Sequence, residues 1–224
     1  MNLQVFDFVE CSIKSFNLPE PIVEFGGRIV VEDQKRFCLR QLFSGKDFKS
    51  TDLVKEAGID EIADISNLEN FENESVGTAI CLETLEHCKE PFAGIEELHR
   101  VLKPNGVLLV STPFDLGTHN YPDDYFRFTV SGLNQLLKSF GHKFVFSVGQ
   151  KKNPKTVFGI AKKNHDFCDG ELEGFIHFFK ESRKNAIKIY GFSFFNQLFY
   201  ALSYLESPEK AEFFNYKLLK DEEK

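Results

Sequence analysis

The sequence predicts an α/β domain built on a mainly parallel sheet with helices on both faces. Three observations carry this. Short apolar runs alternate with helical patterns through the first 140 or so residues. Two of the runs, Gly77-Thr78-Ala79-Ile80-Cys81-Leu82 and Val107-Leu108-Leu109-Val110, are apolar on both faces and so belong at the centre of a sheet. A terminal pair of strands, 143–148 and 156–161, reads as a hairpin joined by Gly149 to Pro154.

Taken in order, residues 2–16 place Leu3, Phe6, Val9, Ile13 and Phe16 at helical spacing, and Leu18-Pro19-Glu20-Pro21 stops that helix. Ile22-Val23-Glu24-Phe25 is a first strand, ended by Gly26-Gly27. A short helix is predicted over 34–43, a second strand over 47–51 running into Asp52, and a third over Glu61-Ile62-Ala63-Asp64. The fourth strand is the 77–82 run. Pro91 opens a helix to Leu102 with Phe92, Ile95, Leu98 and Leu102 as its apolar stripe, and Lys103-Pro104-Asn105-Gly106 turns it into the fifth strand. Thr129 caps a helix holding Leu133, Leu136 and Leu137. Residues 171–205 are predicted to be helical, with Phe175, Phe179, Phe192, Phe195, Phe199 and others nearly encircling the axis. Such helices pack on their own domain or on a second copy of the chain, which makes a homodimer contact the expectation here. A membrane-surface helix is the weaker reading, because residues 190–205 lack a basic polar face. The expected division is a domain over 1–165 and a helical extension over 166–224.

Composition narrows the function. The net charge of −7 speaks against a partner held by nucleic-acid phosphates. The 26 phenylalanines, with no tryptophan, predict a Phe-rich core. Five irregularly spaced cysteines contain no C-x-x-C pair, so neither a zinc knuckle nor a thioredoxin-type site is read and no metal is expected. No apolar run reaches the ~18 residues of a membrane-spanning helix. The opening Met1-Asn2-Leu3-Gln4, followed by Asp7 and Glu10, does not read as a secretory signal, and a reducing cytoplasm is the expected location.

In a parallel sheet, ligands sit beyond the carboxyl ends of the strands, and that is where the chemistry-bearing residues fall. Gly26 and Gly27 let a backbone turn approach a ligand closely, and Glu24 beside them offers a carboxylate; a plain tight turn is the alternative. Asp52, ending strand two, can accept ribose hydroxyls or cap a turn. Asp64, ending strand three, can accept from an adenine amino group with Ile65 packed on the ring, or form an Asx turn. Glu83 and His87 follow strand four.

The run Cys81-Leu82-Glu83-Thr84-Leu85-Glu86-His87, and then Glu97-Leu98-His99-Arg100-Val101-Leu102-Lys103-Pro104-Asn105-Gly106 with its following strand, resembles the UbiE/type-11 group of class I S-adenosylmethionine (SAM)-dependent methyltransferases. The resemblance runs from about Ile22 to Ala161. It implies a Rossmann-like seven-stranded sheet with the last strand antiparallel, and SAM lying across the strand ends against Glu24, Gly26, Asp52, Asp64 and Glu83. The family's first motif carries a third glycine; here the run is Glu24-Phe25-Gly26-Gly27-Arg28, and Arg28 adds bulk and positive charge. Asn105 replaces a common glycine, a mild change because Asn tolerates φ > 0.

The loop from Thr118 to Thr129, His119-Asn120-Tyr121-Pro122-Asp123-Asp124-Tyr125-Phe126-Arg127 at its centre, follows strand five on the side where a methyl acceptor would approach. Similar runs occur in bacterial methyltransferase-like proteins. One reading makes His119 a general base and Arg127 an anchor for an anionic acceptor. The other has Asp124 paired with Arg127 to brace the loop. The expected function is SAM-dependent methyl transfer to a small-molecule or glycan-precursor acceptor. The alternative, favoured by Arg28, is a methyltransferase fold that has lost catalysis and serves binding or assembly. A nicotinamide oxidoreductase fits least, for want of G-x-G-x-x-G.

Overall fold

A computed structural model of the chain describes residues 2–29, 37–119, 123–150, 153–190 and 214–218. Eight strands form one sheet in the order β3-β2-β1-β4-β5-β7-β6-β8. They are β1 (Ile22–Phe25), β2 (Phe48–Asp52), β3 (Glu61–Ile62), β4 (Val76–Leu82), β5 (Leu102–Pro113), β6 (His142–Gln150), β7 (Asn153–Lys162) and β8 (Phe214–Leu218). Strands β1 to β5 pair in parallel, and β7 runs antiparallel between β5 and β6. The seven-stranded, Rossmann-like sheet with an antiparallel final strand is therefore present. The eighth strand, laid antiparallel on β6, was not anticipated.

Chain order explains where a cleft must open. From β1 the chain moves outward to β2 and β3, then returns across the sheet to β4 on the other side of β1. The connections after β1 and β4 leave in opposite directions, and a crevice opens beyond their carboxyl ends.

Strand alternation divides the core into two layers. Ala79 and Cys81 of β4, and Leu108 and Val110 of β5, face the helices α2 (Pro91–Val101) and α3 (Val130–Leu136). Ile80, Leu82, Val107 and Leu109 face α1 (Leu3–Ser15) and α4 (Glu171–Tyr190). Both faces are covered, which is why these strands lack the polar alternation of a half-exposed sheet. The second layer holds much of the phenylalanine. Phe8 of α1, Phe146 and Phe158 of the sheet, and Phe175 and Phe179 of α4 form one aromatic cluster, with Phe146 and Phe158 stacked at 5.2 Å. Phe175 and Phe179 lie four residues apart, one turn of helix, and so meet the sheet together.

Several local expectations are revised. The buried residues of α1 are Val5, Asp7, Phe8, Val9, Cys11 and Ser12, with Leu3, Phe6 and Ile13 only half-buried. Asn2 caps this helix, accepting from the Val5 amide at 3.2 Å. On α2, Pro91, Gly94, Ile95, Leu98 and Val101 are buried, whereas Phe92 is exposed. Phe92 lies about 125° around the helix from the centre of that stripe. Strand β3 stops at Ile62 and not at Asp64, because the Asp64 side chain takes the Ser66 amide and turns the chain. Only a 3-10 turn, Leu39–Gln41, stands where a helix over 34–43 was expected; residues 30–36 lie outside the described residues. Thr129 caps α3 through the Gly132 amide as expected, and Asn105 does adopt a positive φ, 65°. Of the predicted helix over 171–205, α4 covers 171–190, and 191–205 lies outside the described residues. No helix among the described residues is long and apolar enough to cross a membrane.

Candidate functional site

A cavity of about 830 Å³ runs along the carboxyl ends of the central strands, a volume within the range of small-molecule sites. Glu24, Gly26, Gly27, Asp52, Asp64, Ile65 and Glu83 all line it, and so does His119. Arg127 does not. Residues from four strand ends and a distant loop thus meet in one place.

The turn after β1 is shaped by two glycines for different reasons. Gly26 sits at φ +83°, and a Cβ there would lie 2.2 Å from Thr84 Oγ1. A Cβ on Gly27 would lie 2.0 Å from Ser50 Oγ and 2.7 Å from Glu24 Oε2. Both amides donate to the Thr51 carbonyl at 2.9 Å, folding the turn back over β2. Close packing of the turn against β2 and β4 requires glycine at both positions.

Glu24 lies beneath this turn. It is 7% exposed, and Oε2 accepts from Ser50 Oγ at 2.8 Å. Burial pushes its carboxyl up to about 7, against the pull of the Ser50 bond. Asp52 spans the next loop: Oδ2 accepts from the Arg28 amide at 3.2 Å and Oδ1 from the Val54 amide at 3.1 Å. Each oxygen keeps a further lone pair. The Arg28 guanidinium is paired with Glu56 at 2.6 Å, so its charge is balanced beside the cavity it lines. Asp64 Oδ1 accepts from both the amide and the hydroxyl of Ser66, at 2.9 and 2.7 Å, an Asx turn. Ile65 is buried in the core against α2 and shows the cavity one edge.

After β4 the backbone turns sharply. Glu83 takes φ 51°, and its Oε1 accepts from Ser111 Oγ of β5 at 3.0 Å. Burial raises its carboxyl above the usual range. A 3-10 turn, Leu85–His87, then buries Glu86 completely, and neither of its carboxylate oxygens has a hydrogen-bond partner. Burial, with the Glu83 charge nearby, holds Glu86 well above the ordinary carboxylate range.

The loop over 115–129 is tied to this turn. The Tyr125 and Phe126 amides donate to the Glu86 carbonyl at 2.7 and 3.3 Å, and His87 Nδ1 bonds the Asp123 carbonyl. Asp124 organises the loop: it accepts from the His119 amide at 2.9 Å and is gripped through both oxygens by Arg127. That grip holds the Asp124 carboxyl far below its usual range. Arg127 also donates to the Phe126 and Leu116 carbonyls at 2.8 and 3.2 Å. This is the bracing arrangement, and Arg127 is not among the residues that line the cavity. His119 packs edge-on against the His87 ring at 4.9 Å.

Sequence reasoning passed over Glu86, although it stands in the quoted Glu83–His87 run, three residues after one acid and next to a histidine. Nothing in one dimension marks it as buried without a partner. Ser50, Thr84 and Ser111, which position the site's acids and glycines, carry no sequence signal of their own.

A sequence family described as a methyltransferase domain matches residues 47–110. No curated protein matches the chain. Solved structures share the fold at low identity. A SAM-dependent methyltransferase of Archaeoglobus fulgidus aligns with a TM-score of 0.56 and 11% identity, over 71% of this chain and 93% of its own. One of Thermotoga maritima, described as a possible histamine N-methyltransferase, aligns at 0.55 and 18%, over 72% and 88%. A Haloferax volcanii methyltransferase, solved in complex with its Trm112 activator, aligns at 0.52 and 13%, over 72% and 91%. The matched segment spans β2 to β5, and the solved structures share the fold of the whole sheet.

Proposed function

We propose that this chain transfers a methyl group from SAM to a small-molecule or glycan-precursor acceptor. The supporting observation is one cavity at the sheet's switch point, lined by Glu24, Gly26, Gly27, Asp52, Asp64, Ile65, Glu83 and His119. The residues fit the cofactor. Two acids, the buried Glu24 and the half-buried Glu83, are held in a state that favours protonation, and a cationic ligand would favour their charged forms. Asp52 keeps lone pairs for ribose hydroxyls, and Asp64 Oδ2 is the carboxylate oxygen outside the Asx turn, facing an adenine amino group in this reading.

SAM, held by these residues, would supply an electrophilic methyl group on a sulfonium: the acceptor's lone pair would bond the methyl carbon as the carbon–sulfur bond breaks and S-adenosylhomocysteine leaves. The chain supplies alignment and a water-poor cleft. Leu82, which is buried, and the half-buried Glu83 and Thr84 line the cavity where the reacting atoms would be aligned. His119 stands on the acceptor side, where its imidazole takes the acceptor's proton. Arg127 acts at one remove, by holding Asp124, which orients His119. The net charge of −7 supports a small acceptor over a nucleic acid. Free thiols at all five cysteines accord with a cytoplasmic setting. A homodimer through the C-terminal region remains part of the proposal, with Phe175 and Phe179 of α4 already used inside the chain.

One observation favours a catalytically inactive binding protein: Arg28 stands where the family carries glycine. Calorimetric titration with SAM, S-adenosylhomocysteine and NAD tests both readings. Binding of the first two and not the third is expected. Absence of SAM binding at millimolar concentration would sink the methyl-transfer reading.

A further inference from the structure

We propose that Glu86, His87 and His119 form a binding site for one divalent cation of the first transition row. One ligand atom from each lies within 4.8 Å of the other two. Three observations distinguish this from a chance cluster.

The first is Glu86. It is fully buried, both carboxylate oxygens lack a hydrogen-bond partner, and Oε1 stands 3.8 Å from His87 Nε2. Buried polar atoms are nearly always satisfied, and a cation between these groups would satisfy this one. The second is the orientation of the two imidazoles. His87 Nδ1 faces the Asp123 carbonyl, and His119 Nδ1 faces the Gly117 carbonyl at 3.2 Å and the Asp124 carboxylate at 3.3 Å. These oxygens can only accept, so each Nδ1 carries the proton and each Nε2 presents a lone pair. Ligating histidines are held in this way, by a carbonyl or carboxylate on the other ring nitrogen. The third is connectivity. The Tyr125 and Phe126 amides tie the loop carrying His119 to the Glu86 carbonyl, so ligands distant in sequence belong to one bonded unit.

Two imidazole nitrogens and one carboxylate suit manganese, cobalt or zinc better than calcium. Three protein ligands leave positions open for an outside oxygen. The purpose of the site rests on the methyl-transfer reading: the cation would hold an oxygen of the acceptor beside the cavity. In that state His119 Nε2 is a ligand, and the cation's charge releases the acceptor's proton to water.

The test uses the full chain, stripped with chelator and free of SAM. It is titrated with Mn²⁺, followed by the spin resonance of the free ion, and with Zn²⁺ by calorimetry. One equivalent of at least one ion should bind. Glu86→Gln, which keeps the shape of the buried side chain, and His119→Asn, on the loop, should each weaken binding at least about tenfold. The chelated variants should unfold at the parent's temperature. No stoichiometric uptake of either ion, or uptake unchanged in both variants, overturns the site. SAM titration of the same samples separates the two proposals. Cation uptake without SAM binding keeps the site and removes its methyl-transfer purpose. SAM binding without cation uptake overturns the cation site alone.

Discussion

Ser50 donates a 2.8 Å hydrogen bond to Oε2 of Glu24 beneath the glycine turn, and this is the partner the structure gives that buried carboxyl. One neutral hydroxyl does not offset the loss of water around a charge, so Glu24 titrates near 7 and not near 4.5. A pH dependence of known sign follows. The folded state binds this proton more tightly than the unfolded chain, so stability falls as pH rises from about 4.5 to about 7. The loss from this group is on the order of 3 kcal/mol. Glu24→Gln should remove that slope and be relatively more stable than the parent at pH 8, as read by urea unfolding across the range. An unchanged slope would show that Glu24 is ionised at neutral pH.

The same carboxyl links pH to cofactor binding. If SAM places positive charge beside Glu24, binding favours the ionised form. SAM affinity should then rise with pH through about 7, and protons should be released on binding near that pH. Calorimetry in buffers of differing ionisation enthalpy measures the release. A pH-independent affinity would remove Glu24 from the cofactor side.

Asp52→Ala should weaken SAM binding by roughly 1.5–3 kcal/mol, the worth of a hydrogen bond to a charged group. Because Asp52 also holds the Arg28 and Val54 amides, Asp52→Asn is the better-matched comparison. It keeps an acceptor for the loop and loses the charge toward the ribose. SAM affinity at the parent's level in both variants would leave Asp52 a loop residue.

Arg127 and His119 should separate kinetically. His119→Ala should lower turnover about 10²–10⁴-fold with SAM affinity near the parent's. Arg127→Lys cannot reproduce the two-pronged grip on Asp124, so it should lower both the unfolding temperature and turnover. A rise in the acceptor's KM alone, with the unfolding temperature unchanged, would instead return Arg127 to direct contact with the acceptor.

Phe175→Ala tests the attachment of α4. Phe175 is completely buried among Phe8, Phe16 and Phe146. Its loss should destabilise the fold by about 3–5 kcal/mol, read as a lower urea midpoint at unchanged m-value. A shift below about 0.5 kcal/mol would mean that α4 does not pack on the sheet in solution.

The sequence alone determined the parallel sheet and the positions of its strand ends. Apolar periodicity is local and survives in one dimension, and the doubly apolar runs at 77–82 and 107–110 could only be central strands. Glu24, Gly26, Asp52, Asp64 and Glu83 were legible for the same reason, since position at a strand end follows from the strand. Three matters were left to the tertiary structure. The two-pronged contact of Arg127 with Asp124 is one of two arrangements that the loop's composition leaves equal. The helix stripes on α1 and α2 keep Val9, Phe16, Ile95, Leu98 and Leu102 buried but leave Leu3, Phe6 and Ile13 at the margin and Phe92 exposed, because several apolar residues compete for one contact surface and the neighbouring layer selects among them. Glu86 could not be distinguished from any acid beside a histidine, since burial and the absence of a partner depend on residues 30 and more positions away. Chain pattern encodes what a residue is next to in sequence; only packing decides which groups are deprived of water, and deprivation of water gives Glu24, Glu83 and Glu86 their chemistry.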